Sequence, residues 1–66
     1  MSLGEALEFI LGNVIASITI LPSEEVLFVG SLEEIRLNDE FLSLELDHIE
    51  LRYNQSIIIN VKEANE

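Results

Sequence analysis

From Asn13 to Val61 the apolar residues of this chain fall mostly on every second position, in short runs, and the phase of the alternation slips twice. A period of two puts alternate side chains on opposite faces of a strand, so a mainly β fold follows. Val14, Ala16, Ile18 and Ile20 share one face of a first strand, over 13–21; Ile15, Ser17 and Thr19 take the other. Pro22-Ser23-Glu24-Glu25 has the composition of a turn. Val26, Phe28, Gly30 and Leu32 resume the alternation, but Ile35 and Leu37 sit on the opposite parity. That flip around Glu33-Glu34 predicts a bulge or sharp bend in one long strand. Gly30 in mid-strand is where bending or close backbone approach is tolerated.

Asn38-Asp39-Glu40 reads as the next turn, and Leu42, Leu44 and Leu46 as a third strand alternating with Ser43, Glu45 and Asp47. The phase then moves to Ile49, Leu51 and Tyr53, which predicts a tight turn or a second bulge at Asp47-His48. Asn54-Gln55-Ser56 turns the chain into a last strand over 57–61, and 62–66 reads as a frayed acidic tail. Ahead of the strands, residues 2–12 predict a helix. Ser2 and Glu5 have capping-box spacing, Leu3, Ala6, Leu7, Ile10 and Leu11 share a face, and Gly12 suits a left-handed stop. The expected architecture is one domain over 1–61: a short N-terminal helix and five strands in a strongly bent antiparallel sheet. A sheet that bends at bulges tends to close, so a small SH3-like barrel capped by the helix is favoured.

Size and composition bear on assembly. With 66 residues, 48% of them apolar, the chain has more apolar surface than a single small core hides. There is no cysteine and one histidine, so neither disulfides nor a metal cluster staples it. Association with identical copies is the expected remedy. The lack of cysteine is compatible with a reducing cytosol, and a cytoplasmic location is expected. No run approaches the roughly 18 apolar residues of a membrane span, and no basic region opens the chain as in a secretory signal. Thirteen acidic residues against Arg36, Arg52 and Lys62 give a net charge of −10. That field repels phosphate backbones and anionic membranes and favours a basic protein partner, although solubility alone is the commoner use of such charge.

Three stretches carry a family resemblance. "LEFILGNVIASITI" has a helix-then-first-strand rhythm, "VGSLEEIRLNDEFLSLEL" couples a glycine, an aspartate, an aromatic and an alternating run, and "LRYNQSIIINV" places an arginine before a β-branched strand. Together, over 5–61, they resemble the Sm and Sm-like (LSm) proteins. The chain departs from that pattern with about three extra residues between Gly30 and Asp39, Ser43 where the family has asparagine, and Tyr53 where it has glycine. The resemblance implies a five-stranded barrel, a closed homo-oligomeric ring, and RNA bound at its inner rim. By position, Phe41 would stack on a base, Asp39 would brace the loop, Ser43 would take the base-contacting place, and Arg52 would supply the cation.

Each of these residues has a plainer role available. A lone Phe beginning a strand is commonly core or interface, and Asp39 after Asn38 is an ordinary turn residue. Ser43 offers one hydroxyl where asparagine offers a bidentate edge. Arg52 has Glu45 and Glu50 to pair with, an exposed contact worth at most about 1 kcal/mol. Three cations in 66 residues make no basic stripe, which weighs against RNA. No catalytic, cofactor-binding or metal-ligating set emerges: paired acids such as Glu33-Glu34 are sequence neighbours that a strand would point apart, and His48 in "LDHIEL" matches no zinc or EF-hand spacing. The expected function is a non-enzymatic, ring-forming assembly or protein-interaction scaffold. RNA binding at Asp39, Phe41, Ser43 and Arg52 is the alternative, and an acidic decoy of a nucleic-acid-binding partner a third.

Overall fold

Serine–glutamate pairs start two of the helices. In the computed structural model, which describes residues 1–10, 12–52 and 56–63, the Ser2 backbone N–H donates to Glu5 Oε1 at 2.9 Å and the Glu5 N–H to Ser2 Oγ at 3.2 Å. This box opens α1, Leu3–Leu7, which buries Leu3, Ala6 and Leu7. The helix is shorter than the predicted 2–12. After Leu7 the bonds tighten to Phe9 N–H onto Ala6 O and Ile10 N–H onto Leu7 O. Arg36 then takes the next carbonyls, donating to Ile10 O at 2.5 Å and Gly12 O at 3.0 Å. Gly12 does adopt the left-handed conformation, φ 88°, but five residues beyond the last helical one.

β1, Ile15–Leu21, and β2, Glu25–Ser31, form a hairpin across the expected turn, where the Glu24 N–H donates to Ile20 O at 2.7 Å. The long bent second strand is absent. Ser31 and Glu34 form a second capping box and start α2, Leu32–Arg36. Leu32 and Ile35, read above as a parity flip, are three apart on one helical face, and both are fully buried. Asn38 Oδ1 then accepts from the Glu40 and Phe41 N–H groups at 3.0 and 3.2 Å, capping α3, Asp39–Leu42. The third strand predicted around Leu42, Leu44 and Leu46 is therefore mostly helix and loop. β3 runs Leu46–Leu51 and β4 Ile57–Lys62. Lys62 is not frayed: its N–H donates to Glu45 O at 2.9 Å, and that of Glu63 to Leu21 O at 3.1 Å. Tyr53, Asn54 and Gln55, and the tail from Ala64, lie outside the described residues.

The result is a four-stranded sheet in the order β2-β1-β4-β3, with β1 parallel to β4 and the outer pairs antiparallel. This overturns the five-stranded antiparallel barrel. With Leu32–Arg36 and Asp39–Leu42 folded as helices, the described residues leave four strands in an unclosed sheet, with β2 and β3 as its edges. Both edges carry a bulge. Leu27 is extra in β2, between the pairs Ile18–Phe28 and Thr19–Val26, and Asp47 is extra in β3, between Leu46–Val61 and His48–Asn60. The second is one of the two alternatives the shift at Asp47-His48 allowed.

One face of the sheet is the core. Ala16, Ile18, Ile57, Ile59 and Val61 meet Leu3 and Leu7 of α1 and Leu32 and Ile35 of α2 in one cluster. Burying such a side chain contributes about 1.5–3 kcal/mol. Phe28 joins from β2, its ring 5.4 Å from that of Phe41. A Cβ on Gly30 would lie 2.6 Å from Phe28 Cζ, so the glycine is what lets this ring lie against the strand.

Candidate functional site

The opposite face of the same sheet has no helix over it among the described residues. Across the strands from β2 to β3, one row is Val26, Thr19, Asn60 and His48, and the next is Val29, Ser17, Ile58 and Glu50. Ile15 pairs with Ser31 beyond the second row, and Leu21 with Lys62 beyond the first. The face therefore has two halves. The β2–β1 half is charge-free and carries Ile15, Val26 and Val29 at 58%, 57% and 65% exposure. The β4–β3 half is polar.

That polar half centres on Asn60, the buried polar residue of the sheet at 5% exposure. His48 Nδ1 lies 2.8 Å from Asp47 Oδ1, and Nε2 lies 3.3 Å from Glu50 Oε1. The Asn60 amide nitrogen reaches His48 Nε2 at 3.3 Å and Glu50 Oε1 at 3.4 Å. Two carboxylates facing the two ring nitrogens favour imidazolium, so His48 is held above its ordinary pKa of 6.5, chiefly by Asp47 and then by Glu50. When the ring is neutral, the Asn60 amide can donate to Nε2; when it is charged, to Glu50. Either state leaves Asn60 satisfied. Arg52 Nη2 lies 3.3 Å from Glu50 Oε2, and Lys62 Nζ 3.9 Å from Glu45.

Charge is divided between the sheet's two sides. The helices carry Glu5, Glu8, Glu33, Glu34, Asp39 and Glu40 with Arg36. Around the open face, Glu45, Asp47 and Glu50 are each within 4.0 Å of Lys62, Arg52 or His48. Acids predominate along the helices, whereas the acids of the β4–β3 half each have a basic side chain or His48 beside them, and Glu24, Glu25 and Glu63 stand at the end of the sheet near the β1–β2 turn.

The four residues aligned with an RNA site are split by the sheet. Asp39 is exposed in the first turn of α3, Phe41 packs half-buried on Phe28 and the core, and Ser43 caps the helix with Oγ donating to Glu40 O at 2.8 Å. Arg52 follows β3 and pairs with Glu50 two residues back in its own segment, one of the two acids anticipated. α3 brings the first three together on the core side; Arg52 engages the open face.

Sequence reasoning passed over Val26, Val29 and Asn60. In the sequence Val26 shares the parity of Phe28, and the bulge at Leu27 moves it to the open side. Asn60 had a visible signal: it is the single polar residue inside Ile57-Ile58-Ile59-Asn60-Val61, a run apolar on both faces. Among the described residues no three His, Asp or Glu are placed to hold a metal ion, and no helix is long and apolar enough to cross a membrane. No protein-family model, curated protein or solved structure matches this chain, so the likeness of 5–61 to the Sm-like proteins rests on the sequence patches alone.

Proposed function

We propose that this protein is an assembly or protein-interaction module that works by binding, and that the open face of its sheet is the binding surface. The observation that carries this reading is the set of Ile15, Val26 and Val29, each more than half exposed on a charge-free patch, while Ala16 and Ile18 on the other side of β1 are buried in the core. Single exposed apolar residues are ordinary; adjacent ones on one sheet face are the mark of a surface that is covered in use. The anionic helical side supplies solubility and keeps such a module from phosphate backbones.

Site-specific photo-crosslinking in expressing cells tests it. A photoreactive residue in place of Val29 should give a covalent adduct on irradiation, and one in place of Glu40 on the helical side should not. Folded protein that gives no adduct from position 29 overturns the reading.

A further inference from the structure

We infer that His48 is a proton-operated switch at the edge of the sheet. With both ring nitrogens protonated it holds Glu50 beside Asn60; on losing one proton it passes Glu50 to Arg52 and takes the Asn60 amide itself. What the open face contacts does not enter into it.

The bulge builds the switch. In an uninterrupted strand Asp47 and His48 would point to opposite faces. Asp47 is instead the extra residue between the pairs Leu46–Val61 and His48–Asn60, and its Oδ1 lies 2.8 Å from Nδ1 of the neighbouring ring. Glu50, two residues on, approaches the other nitrogen, with Oε1 3.3 Å from Nε2. Asn60 on β4 stands between them, its amide nitrogen 3.3 Å from Nε2 and 3.4 Å from Glu50 Oε1. At 5% exposure that residue has little access to water, so its amide must find a protein acceptor.

The number of ring protons decides which. Both carboxylates call for an N–H on the ring, and only imidazolium has two. In that state Nε2 donates to Glu50, and Asn60 donates to Glu50 as well. A neutral ring has one N–H, and the shorter contact to Asp47 keeps it on Nδ1. Nε2 then turns a lone pair toward the Glu50 carboxylate, two acceptors that repel, and the Asn60 amide donates to Nε2 instead. Glu50 has a place to go, since its Oε2 is already 3.3 Å from Arg52 Nη2. The polar half of the open face thereby loses one positive charge, and the Glu50 carboxylate is drawn toward the end of β3.

β4, the strand packed beside the ring, brings one titratable group, Lys62, and its ammonium lies 3.9 Å from Glu45. Asp47, and after it Glu50, hold the ring above its ordinary 6.5. The charged position is therefore fully occupied below 6.5, and the change comes as pH rises through the native value.

Nitrogen-15 NMR of the imidazole from pH 5 to 9 is the test. Below the midpoint both ring nitrogens should carry a proton. Above it Nδ1 should keep its proton while Nε2 shows a bare lone pair, and the Asn60 side-chain amide should shift with the same midpoint. Asp47→Asn removes the anionic acceptor at Nδ1 and should move the tautomer ratio up to about fivefold toward Nε2–H, the scale of an exposed ion pair. Glu40→Gln on the helical side should leave the ratio unchanged. His48→Gln should erase the inflection of the Asn60 amide. A neutral wild-type ring protonated on Nε2, an Asn60 amide that does not follow the His48 midpoint, or an inflection that survives His48→Gln overturns the inference. The first two are read on the wild-type chain, so the inference can fail without any variant having to fold.

Discussion

β1 presents one isoleucine to each of two very different surroundings. Ile18 is fully buried and Ile15, three residues earlier, is 58% exposed, though both are isoleucine in the same strand. Opposite parity sends one under α1 and α2 and the other to the bare side. The contrast separates two uses of apolar residues. On the covered face they hold the fold together; on the open face they add little to the fold and remain available for contact.

The largest effect should come from truncation on the covered side. Ile59→Ala removes a fully buried side chain from the central strand β4 and should cost about 2–5 kcal/mol in urea unfolding. For so small a domain that is much of its stability. Val29→Ala, measured where the chain is monomeric, should stay within about 0.5 kcal/mol of wild type. Equal losses at the two positions would abolish the distinction between the faces.

A smaller effect is expected where the covered face meets the edge strand. Gly30→Ala puts a methyl 2.6 Å from Phe28 Cζ and 2.9 Å from Cε2, and the ring is already in contact with Phe41. Overpacking of this kind should cost about 1–3 kcal/mol. It should also shift the Phe41 ring resonances; a silent substitution would mean that Phe28 does not lie over the glycine.

The smallest effect belongs to the polar half of the open face. The ring proton of His48, followed by NMR, should titrate above 6.5, and Asp47→Asn should lower that value more than Glu40→Gln, which removes the same charge from the helical side. Since the native pKa is raised, the imidazolium contributes stability in full below 6.5, and that contribution fades as pH rises through the native value. Equal responses in the two variants would point to the general negative field instead of the Asp47 contact.

Several local features were legible before the fold was known. The Ser2–Glu5 box, the division of β1 into Ala16-Ile18-Ile20 and Ile15-Ser17-Thr19, the turn after Leu21 and the phase shift at Asp47 all depend on residues close in sequence. The stretch 31–42 was misread although it held usable signals. Ser31 and Glu34 repeat the S-x-x-E spacing of Ser2 and Glu5, and Leu32 and Ile35 are helically spaced. Short apolar runs satisfy either period, and a box without a long amphipathic run behind it passes for part of a strand. The candidate site was less legible still, because it depends on which residues stand side by side across four strands.

By itself the sequence determined the alternation of β1, the turn after Leu21, the Ser2–Glu5 cap and the negative field, since each follows from neighbouring side chains and backbone preference. Only the tertiary structure decided that β1 lies parallel to β4, that Leu27 and Asp47 bulge out of the edges, and that Asn60, His48 and Glu50 meet beside a bare apolar patch. The reason is that pairing residues some 40 positions apart carries a loop-closure cost, which is met by burying Ile18 and Ile59 together under the helices. No local pattern encodes that choice of neighbour.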